Sequence, residues 1–449
     1  MSLHLSSGTV DRALQERGLD AAHRTRLVSQ FGDAASALHA RFGRNPDRAW
    51  WVPGRLEVFG KHTDYAGGRT LIATVPRGFA FVGAPRTDAI IRILDARAGD
   101  CRTFDTQPER LSGATGWAHY VAVVLDRFRR NFPGARLGAD LAFVSDLPPA
   151  SGVSSSSALI VGTALGIARL NRLDERPEWQ SNLPSPIALA GYLACVENGL
   201  TFGTLEGRGG VGTQGGSEDH TAMLCCRPGS LSQYSFVPVR HIGDVTMPGE
   251  WAFVVGVSGV VAEKTGAALG LYNRASSCAK ALVDVWNSGE APATSLAVAL
   301  FGNADAAVRL RELIRRSARP DFPAVDLERR LAHFVAEDAR VPEAAVAFQE
   351  KDSGRLADLA QASQHDAHVL LGNQIDETNT LADLARSSGA FAACAFGAGF
   401  GGSVWALIAG TDAEAFGQRW MNAYRQRYPQ HERATWFVAR PASSVIEIV

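Results

Sequence analysis

The sequence has little lysine, little net charge, no closely paired cysteines and no long apolar run. Only four of its 45 basic residues are lysine, namely Lys61, Lys264, Lys280 and Lys351, so a lysine is an unusual choice anywhere in this chain. The 45 basic and 46 acidic residues give a formal net charge of −1, which argues against nucleic acid or an acidic membrane as the main partner. These shortages therefore argue against a polyanion-binding protein.

Two further absences bear on where the protein works. The longest strongly apolar run, residues 158–168, is too short to cross a bilayer. Residues 1–12 lack a positive segment followed by an apolar one, so no signal peptide is expected. The six cysteines include no C-x-x-C pair, so neither a zinc site nor a disulfide framework is indicated. We therefore predict a cytoplasmic protein with reduced, mostly buried thiols and no membrane association.

Length and composition indicate a globular protein of more than one domain. A chain of 449 residues is long enough for two or three domain-sized units. Its 46% hydrophobic and 20% charged residues are ordinary for such a protein. Apolar periodicity predicts helices at residues 9–43 and 327–341 and strands at 49–60, 70–82 and 251–257.

The most informative stretch is residues 149–170, P-A-S-G-V-S-S-S-S-A-L-I-V-G-T-A-L-G-I-A-R-L, in which four serines precede an apolar helical pattern. Serine hydroxyls cap helices by accepting bonds from the free amides of the first turn. The same amides and the helix dipole favour an anion, usually a phosphate, and a serine hydroxyl there also suits Mg²⁺. The stretch is not a Walker A loop, because no G-K-[ST] follows its glycine. A serine-capped core helix without a ligand is the alternative.

Two polar loops are also conspicuous. K-H-T-D-Y-A-G-G, at residues 61–68 between predicted strands, gathers charged and hydroxyl groups and suits a polyhydroxylated ligand; a solvated hairpin loop is the alternative. Residues 207–220, G-R-G-G-V-G-T-Q-G-G-S-E-D-H, are too rich in glycine for a regular element. Asp219 at the end of that loop would be a turn or cap residue unless another segment brings a phosphate beside it.

A third glycine-rich segment, F-G-A-G-F-G-G-S at residues 396–403, leads into a predicted strand. A dinucleotide fingerprint would precede a helix, so a Rossmann fold is not indicated. Its glycines instead predict a backbone that comes close to another group. Tight packing under the serine helix is the alternative, and both can hold together.

These segments, in this order, resemble the motifs of the GHMP kinases and of their galactokinase branch. P-G-R-L-E-V-F-G-K-H-T-D-Y-A-G-G resembles G-R-x-N-L-I-G-E-H-T-D-Y-N-G-G, and L-P-P-A-S-G-V-S-S-S-S-A-L resembles P-x-G-G-G-L-S-S-S-A-S-L. F-G-A-G-F-G-G-S is similar to T-G-A-G-F-G-G-C. Weaker similarities lie at residues 117–121 (W-x-N-Y-V), 216–220 (G-I-M-D-Q) and 272–274 (Y-N-x-R).

The resemblance implies an α+β fold of two domains with the active site in the cleft between them. The N-terminal domain, residues 1–235, would resemble ribosomal S5 domain 2, and residues 236–449 would form the C-terminal GHMP domain. The implied activity is ATP-dependent phosphorylation of a galactose-like hexose at its anomeric C1 hydroxyl. The implied partners are the sugar, ATP and Mg²⁺, with no nucleic acid or membrane, in a monomer or weak homodimer.

The resemblance also implies roles for individual residues. Asp219 would be the catalytic aspartate and Arg55 the arginine that accompanies it, while Ser156 and Glu197 would hold Mg²⁺. The expected sugar contacts are His62, Asp64, Gly216 and Tyr272, and Lys61 joins them only by a hypothesis of its own, given next. The expected phosphate contacts are Ser151, Gly152, Val153, Ser154, Ser155, Ser156 and Ser157.

The first motif departs from the family at Lys61, where galactokinases have a glutamate that accepts a bond from the C6 hydroxyl. A lysine is cationic and only donates hydrogen bonds. One hypothesis is that the substrate carries an anion at C6, as galacturonate or glucuronate does. The alternative is that Lys61 bonds a neutral oxygen or pairs with a protein carboxylate such as Glu57.

The phosphate loop departs from the family pattern as well. Ala150 and Ser151 replace two glycines, and Ser157 replaces an alanine, so Ser156 and Ser157 compete for the Mg²⁺ role. A change near this position accompanies loss of catalysis in some galactokinase-like sensors that bind sugar and ATP. Retention of Arg55, Glu197 and Asp219 favours an enzyme, with the catalytically weak sensor as the alternative.

Overall fold

Two β-sheets covered by helices make up the protein. The structure, a computed structural model, describes residues 6–106, 113–148, 151–260, 267–317 and 319–448. The strands are β1 Arg48–Phe59, β2 Arg69–Pro85, β3 Ile90–Asp95, β4 Asp100–Asp105, β5 Ala139–Ser145, β6 Ser230–Ser235, β7 Arg240–Thr246, β8 Trp251–Val257, β9 Ala392–Phe396, β10 Ser403–Ala409, β11 Thr435–Ala439 and β12 Ile446–Glu447.

Helices lie between the strands along most of the chain. They are α1 Ser7–Glu16, α2 Ala21–Phe42, α3 Trp117–Asn131, α4 Ser155–Leu170, α5 Pro177–Asn182, α6 Pro186–Asn198, α7 Glu218–Cys225, α8 Ala267–Asn287, α9 Leu296–Leu300, α10 Ala306–Arg316, α11 Ala324–Glu350, α12 Ser353–Asp366, α13 Asp376–Ser387 and α14 Ala413–Arg427. Among the described helices, none is long and apolar enough to cross a membrane.

The first sheet places β1 between β2 and the short strand β12. Its strands follow the order β12-β1-β2-β5-β3-β4, and the β6–β7 hairpin adds to β2. All pairs are antiparallel except β3 with β5. Helices α2 and α4 contact this sheet, so β1 is buried along nearly its whole length. This explains why its sequence is apolar on both faces rather than alternating.

The second sheet has the order β11-β8-β10-β9 and is antiparallel throughout. Helices α12, α13 and α14 pack against it. One apolar cluster continues from the first sheet into the second, and the rings of Phe59 and Trp405 meet across this junction with centroids 5.9 Å apart. The predominance of antiparallel pairs confirms the expected α+β class.

The two halves of the sequence do not separate cleanly at residue 235. Strands β6 and β7, which flank that position, pair with each other in the first sheet. Near the other end of the chain β12 returns to β1, with Trp50 opposite Glu447 and Trp51 opposite Ile446. The first sheet therefore draws on both of the expected domains.

Several predicted elements have different bounds in the structure. The helix predicted over residues 9–43 is two helices, because Asp20 caps a new helix by accepting a bond from the His23 amide. The helix predicted to stop at residue 341 continues through Pro342 as far as Glu350. All six cysteines are free, and three of them are buried while three are partly exposed, so the prediction of mostly buried thiols holds for only half of them.

Candidate active site

A cavity opens where β1, the loop after α6, the start of α7 and the turn between β9 and β10 come together. It is lined by Arg55, Glu57, His62, Asp64, Tyr65, Ala194, Glu197, Asn198, Thr213, Gly215, Gly216, Glu218, Asp219, His220, Tyr272, Gly397 and Ala398. Both glycine-rich loops and the polar loop, defined as residues 60–69, contribute to this wall. Segments far apart in the chain thus meet at one site.

Arg55 and Asp219 form the central ion pair of the cavity. Arg55 projects from β1 and Asp219 from the first turn of α7, 164 residues later, and the Arg55 Nε donates to Asp219 Oδ1 at 2.7 Å. Its NH1 donates to the Gly152 carbonyl at 2.5 Å, and Glu218 Oε1 lies 3.3 Å from Nε. Burial opposes the charge of Arg55, but Asp219 and Glu218 outweigh it and raise its pKa, so the guanidinium stays ionised.

The serine turn, defined as residues 151–157, lies directly beside this pair. Ser154 precedes α4 in a left-handed conformation and makes no side-chain capping bond to the helix, so the predicted serine cap is wrong at this position. Its Oγ is buried without a hydrogen-bond partner among the described residues. The first-turn amides are therefore left uncapped by Ser154, as an anion site requires. Ala150 lies outside the described residues.

Ser157 rather than Ser156 contacts the carboxylates of the site. The Ser157 Oγ donates to Glu197 Oε2 at 3.0 Å and lies 3.2 Å from Asp219 Oδ2. Ser157 is fully buried, whereas Ser156 is partly exposed. Of the two serines that compete for the metal role, the geometry therefore joins Ser157 to both acidic residues.

The third glycine-rich segment packs against the serine turn, as one of the two predictions stated. Ser403 donates to the Ser151 carbonyl at 2.5 Å. The Gly397 amide also donates to Glu57 Oε2 at 2.6 Å. These contacts fix the serine turn and β1 relative to the second sheet.

The polar loop brings the predicted sugar contacts to the same cavity. His62 Nδ1 lies 2.8 Å from the Tyr65 hydroxyl, and its ring meets the Tyr272 ring with centroids 5.5 Å apart. Asp64 Oδ2 accepts from the Glu218 amide at 3.1 Å. A Cβ on Gly216 would lie 2.2 Å from that same oxygen, so only glycine fits there.

Five carboxylates line the cavity, and two of them hold their protons unusually tightly. Burial raises the pKa of Asp64 to about 6. Burial, with Glu57 close by, also raises the pKa of Glu218 well above its usual range. Glu218 was missed at the level of sequence, although it stands where the G-I-M-D-Q pattern has an apolar residue. That polar-for-apolar exchange beside Asp219 was the available signal.

Lys61 does not reach the cavity, so the predicted substrate contact is wrong. Its side chain is 1% exposed, and Nζ donates to Ser363 Oγ at 2.6 Å and to Cys394 Sγ at 3.0 Å. Glu337 Oε1 lies 3.7 Å away. The open alternative, pairing with a protein carboxylate, fits the geometry, with Glu337 in place of Glu57. The uronate hypothesis loses the residue on which it was based.

Comparisons with known proteins agree with this arrangement. Three family models match in order: the galactokinase galactose-binding signature over residues 36–85, the GHMP kinase N-terminal domain over 119–196 and the GHMP kinase C-terminal domain over 344–426. Galactokinase from Chloroflexus aurantiacus is 29% identical over 406 residues, covering 87% of this chain and 92% of that protein. Galactokinase from Streptomyces coelicolor is 29% identical over 398 residues, covering 85% and 90%.

The fold comparison leads to the same group of proteins. The crystal structure of Lactococcus lactis galactokinase complexed with galactose superposes with a TM-score of 0.73 at 21% identity, covering 92% of this chain and 98% of that one. The three family models match in the order in which they stand along this chain, and the shared fold covers 92% of it. The protein therefore belongs to the GHMP kinase superfamily, as a galactokinase-like sugar kinase.

Proposed function

We propose that the protein transfers the γ-phosphoryl group of ATP to the anomeric C1 hydroxyl of a galactose-like hexose. The observation that carries this proposal is the Arg55–Asp219 pair, held at 2.7 Å beside the serine turn. The galactokinase relatives support a hexose of this kind as the acceptor.

The pair supplies the two groups that phosphoryl transfer needs. Asp219 is placed to take the C1 hydroxyl proton as the sugar oxygen bonds to the γ-phosphorus and the bond to ADP breaks. Arg55, charged and buried, is placed to stabilise the negative charge that develops on the transferred group. Because Asp219 also binds Arg55, the proton acceptor and the charge stabiliser are fixed relative to each other.

The start of α4 is the proposed phosphate site. Its uncapped amides and the helix dipole attract the triphosphate. The contacts assigned to it are those of the serine turn, residues 151–157. Because the Gly152 carbonyl accepts from Arg55, a phosphate on this turn would lie next to the catalytic pair.

Glu197, with Ser156 or Ser157, is the proposed Mg²⁺ site. Within the described ranges, no group of three or more histidine, cysteine, aspartate or glutamate side chains is arranged to hold a metal ion. One carboxylate and one hydroxyl still fit Mg²⁺, which keeps several waters and binds substrate phosphates. When bound, the ion would neutralise phosphate charge. Ser157, already 3.0 Å from Glu197, is the better placed serine.

The sugar is proposed to bind against His62, Asp64, Gly216 and Tyr272. Asp64 can accept hydrogen bonds from sugar hydroxyls, and the two rings provide an apolar surface for the hexose. Five carboxyl groups line the cavity, and those that are ionised would repel a carboxylate on the sugar. We therefore expect neutral galactose to be preferred over galacturonate.

An ATPase-coupled assay over galactose, glucose, galacturonate and glucuronate tests the proposal. We expect turnover with galactose and at least tenfold lower kcat/KM with galacturonate. Phosphorus NMR of the product should show a sugar 1-phosphate. Binding of galactose and ATP without turnover would favour the sensor alternative, and a product phosphorylated at another carbon would refute the C1 assignment.

A further inference from the structure

One face of helix α11 holds the polar loop. Arg330, Glu337 and Asp338 are spaced so that they project on the same side of this helix. Their exposed fractions are 3%, 0% and 0%, so each is buried against its partners. The helix lies some 270 residues beyond the loop in sequence, and no motif of the family resemblance includes it.

The three side chains bind the loop along its length. Glu337 Oε1 accepts from the amides of Gly60 at 3.0 Å and of Lys61 at 3.2 Å. Asp338 accepts from the amide of Arg69 at 2.7 Å and from its guanidinium. Both ends of the polar loop are therefore bonded to carboxylates of one helix.

Arg330 binds the middle of the loop, where the backbone is strained. His62 has φ of 59°, a conformation that is costly for a residue with a Cβ. The Arg330 NH2 donates to the His62 carbonyl at 2.5 Å and to the Tyr65 hydroxyl at 3.1 Å. With Glu337 on the preceding amides, bonds from α11 lie on both sides of the strained residue.

Lys61 balances the charge of this arrangement. Burial would raise the pKa of Glu337, but the nearby ammonium of Lys61 and the guanidinium of Arg340 contribute to lowering it to about 2. Ser363 donates to Glu337 at 2.8 Å and accepts from Lys61 at 2.6 Å. The unusual lysine therefore serves the carboxylate that binds the loop.

We infer that Arg330 and Glu337 are positioning residues for sugar binding, which hold His62 in its strained conformation with its ring in the cavity. The inference rests on the proposed function, because it assigns the loop to the sugar. The bonds from α11 act on the loop and leave the serine turn untouched. Loss of these bonds should therefore weaken the binding of sugar and leave the binding of ATP unchanged.

Two pairs of variants test this selectivity. K61M/E337Q removes both buried charges and keeps an amide oxygen as acceptor, whereas K61M/E337L removes the acceptor as well. R330K keeps a cationic donor group, whereas R330M has no N–H donor in its side chain. We expect K61M/E337L and R330M to raise the sugar KM at least tenfold. The matched variants K61M/E337Q and R330K should raise it less than threefold. The ATP KM should stay within twofold of wild type in all four. E343Q, at an exposed site on the same helix, is the control and should change neither KM.

Hydrogen exchange supplies a readout that needs neither turnover nor a stable variant. In the wild-type protein, the amides of Gly60 and Lys61 should exchange as slowly as the interior of α11. Fast exchange there, or equal changes in sugar and ATP KM, would overturn the inference. Absence of sugar phosphorylation by the wild type would instead refute the proposed function. In that case, slow exchange of the Gly60 and Lys61 amides together with galactose binding measured by calorimetry would still support the inference that α11 holds the loop for sugar binding.

Discussion

At the scale of single residues, Asp219 is the side chain whose charge matters most to the proposed reaction. It bonds Arg55 and lies within reach of Ser157. Asp219→Asn keeps the shape but cannot accept the sugar proton, so we expect kcat to fall roughly 10²- to 10⁴-fold. Nucleotide affinity, measured with a non-hydrolysable ATP analogue, should change little. Asp383→Asn, in an exposed pair on α13, is the control. A kcat within tenfold of wild type would remove Asp219 from the mechanism.

Asp64 should govern the acid limb of the pH profile. Burial raises its pKa to about 6, so the carboxylate is half formed at this pH, predominates above it and is lost as the pH falls below it. Since the carboxylate is the proposed acceptor of sugar hydroxyls, kcat/KM for galactose should decline below about pH 6.

Two variants test whether Asp64 is the group that titrates in the acid limb of the pH profile. Asp64→Asn should have a lower kcat/KM at neutral pH and no fall near pH 6. Glu218→Gln should keep the fall in kcat/KM near pH 6, because the backbone amide of residue 218 still donates to Asp64. An unaltered limb in Asp64→Asn would show that another group titrates there.

The residues that could be predicted are those on short motifs. Arg55 and Asp64 lie on the first motif, and Asp219 lies on the weaker G-I-M-D-Q pattern. Lys61 was misassigned because its partner, Glu337, lies 276 residues away on a helix without a motif. A single lysine shows that a charge must be satisfied, but the position of the satisfying carboxylate depends on the folded chain.

At the scale of elements, the turn between β9 and β10 requires glycine at position 399. Gly399 has φ of 83°, and a Cβ there would lie 2.3 Å from the Asn373 carbonyl. Gly372 has φ of 71° but nothing within 4 Å of such a Cβ. Gly372→Ala should therefore cost about 1 kcal/mol for its conformation alone. Gly399→Ala should cost at least about 2 kcal/mol more, because the turn must also shift.

Thermal unfolding of the two alanine variants compares these costs directly. The melting temperature of Gly399→Ala should lie several degrees below that of Gly372→Ala. Equal melting temperatures would mean that the turn adapts without strain. The third motif would then owe its glycines to something other than its packing against Asn373.

The bounds of an element were predicted well where the sequence has a continuous apolar pattern, and badly where tertiary packing determines where the element ends. The strand at Trp251–Val257 was predicted at its exact bounds because it is a continuous apolar run. The helix that carries Glu337 was expected to end before Pro342, yet it continues for two more turns. Val341 and Ala344 are fully buried on either side of that proline, so tertiary contacts outweigh the missing backbone bond.

At the scale of the whole molecule, β12 joins the two expected halves. Ile446 is fully buried, and Ile446→Ala should cost about 2–5 kcal/mol. Glu447→Gln affects only a partly exposed pair with Arg169 and should cost about 1 kcal/mol or less.

Calorimetry tests whether this strand affects the whole protein. Because the halves share the first sheet and one apolar cluster, we expect a single unfolding transition that Ile446→Ala shifts as a unit. Two separate transitions, of which only one moves, would contradict the shared core.

The distance between the polar loop and helix α11 also has a consequence for synthesis of the protein. Gly60 and its acceptor Glu337 are 277 residues apart, so the ribosome completes the loop long before it makes the helix. Until then the nascent chain carries the loop with His62 unrestrained. A translation product that stops short of α11 would therefore lack a formed pocket for sugar.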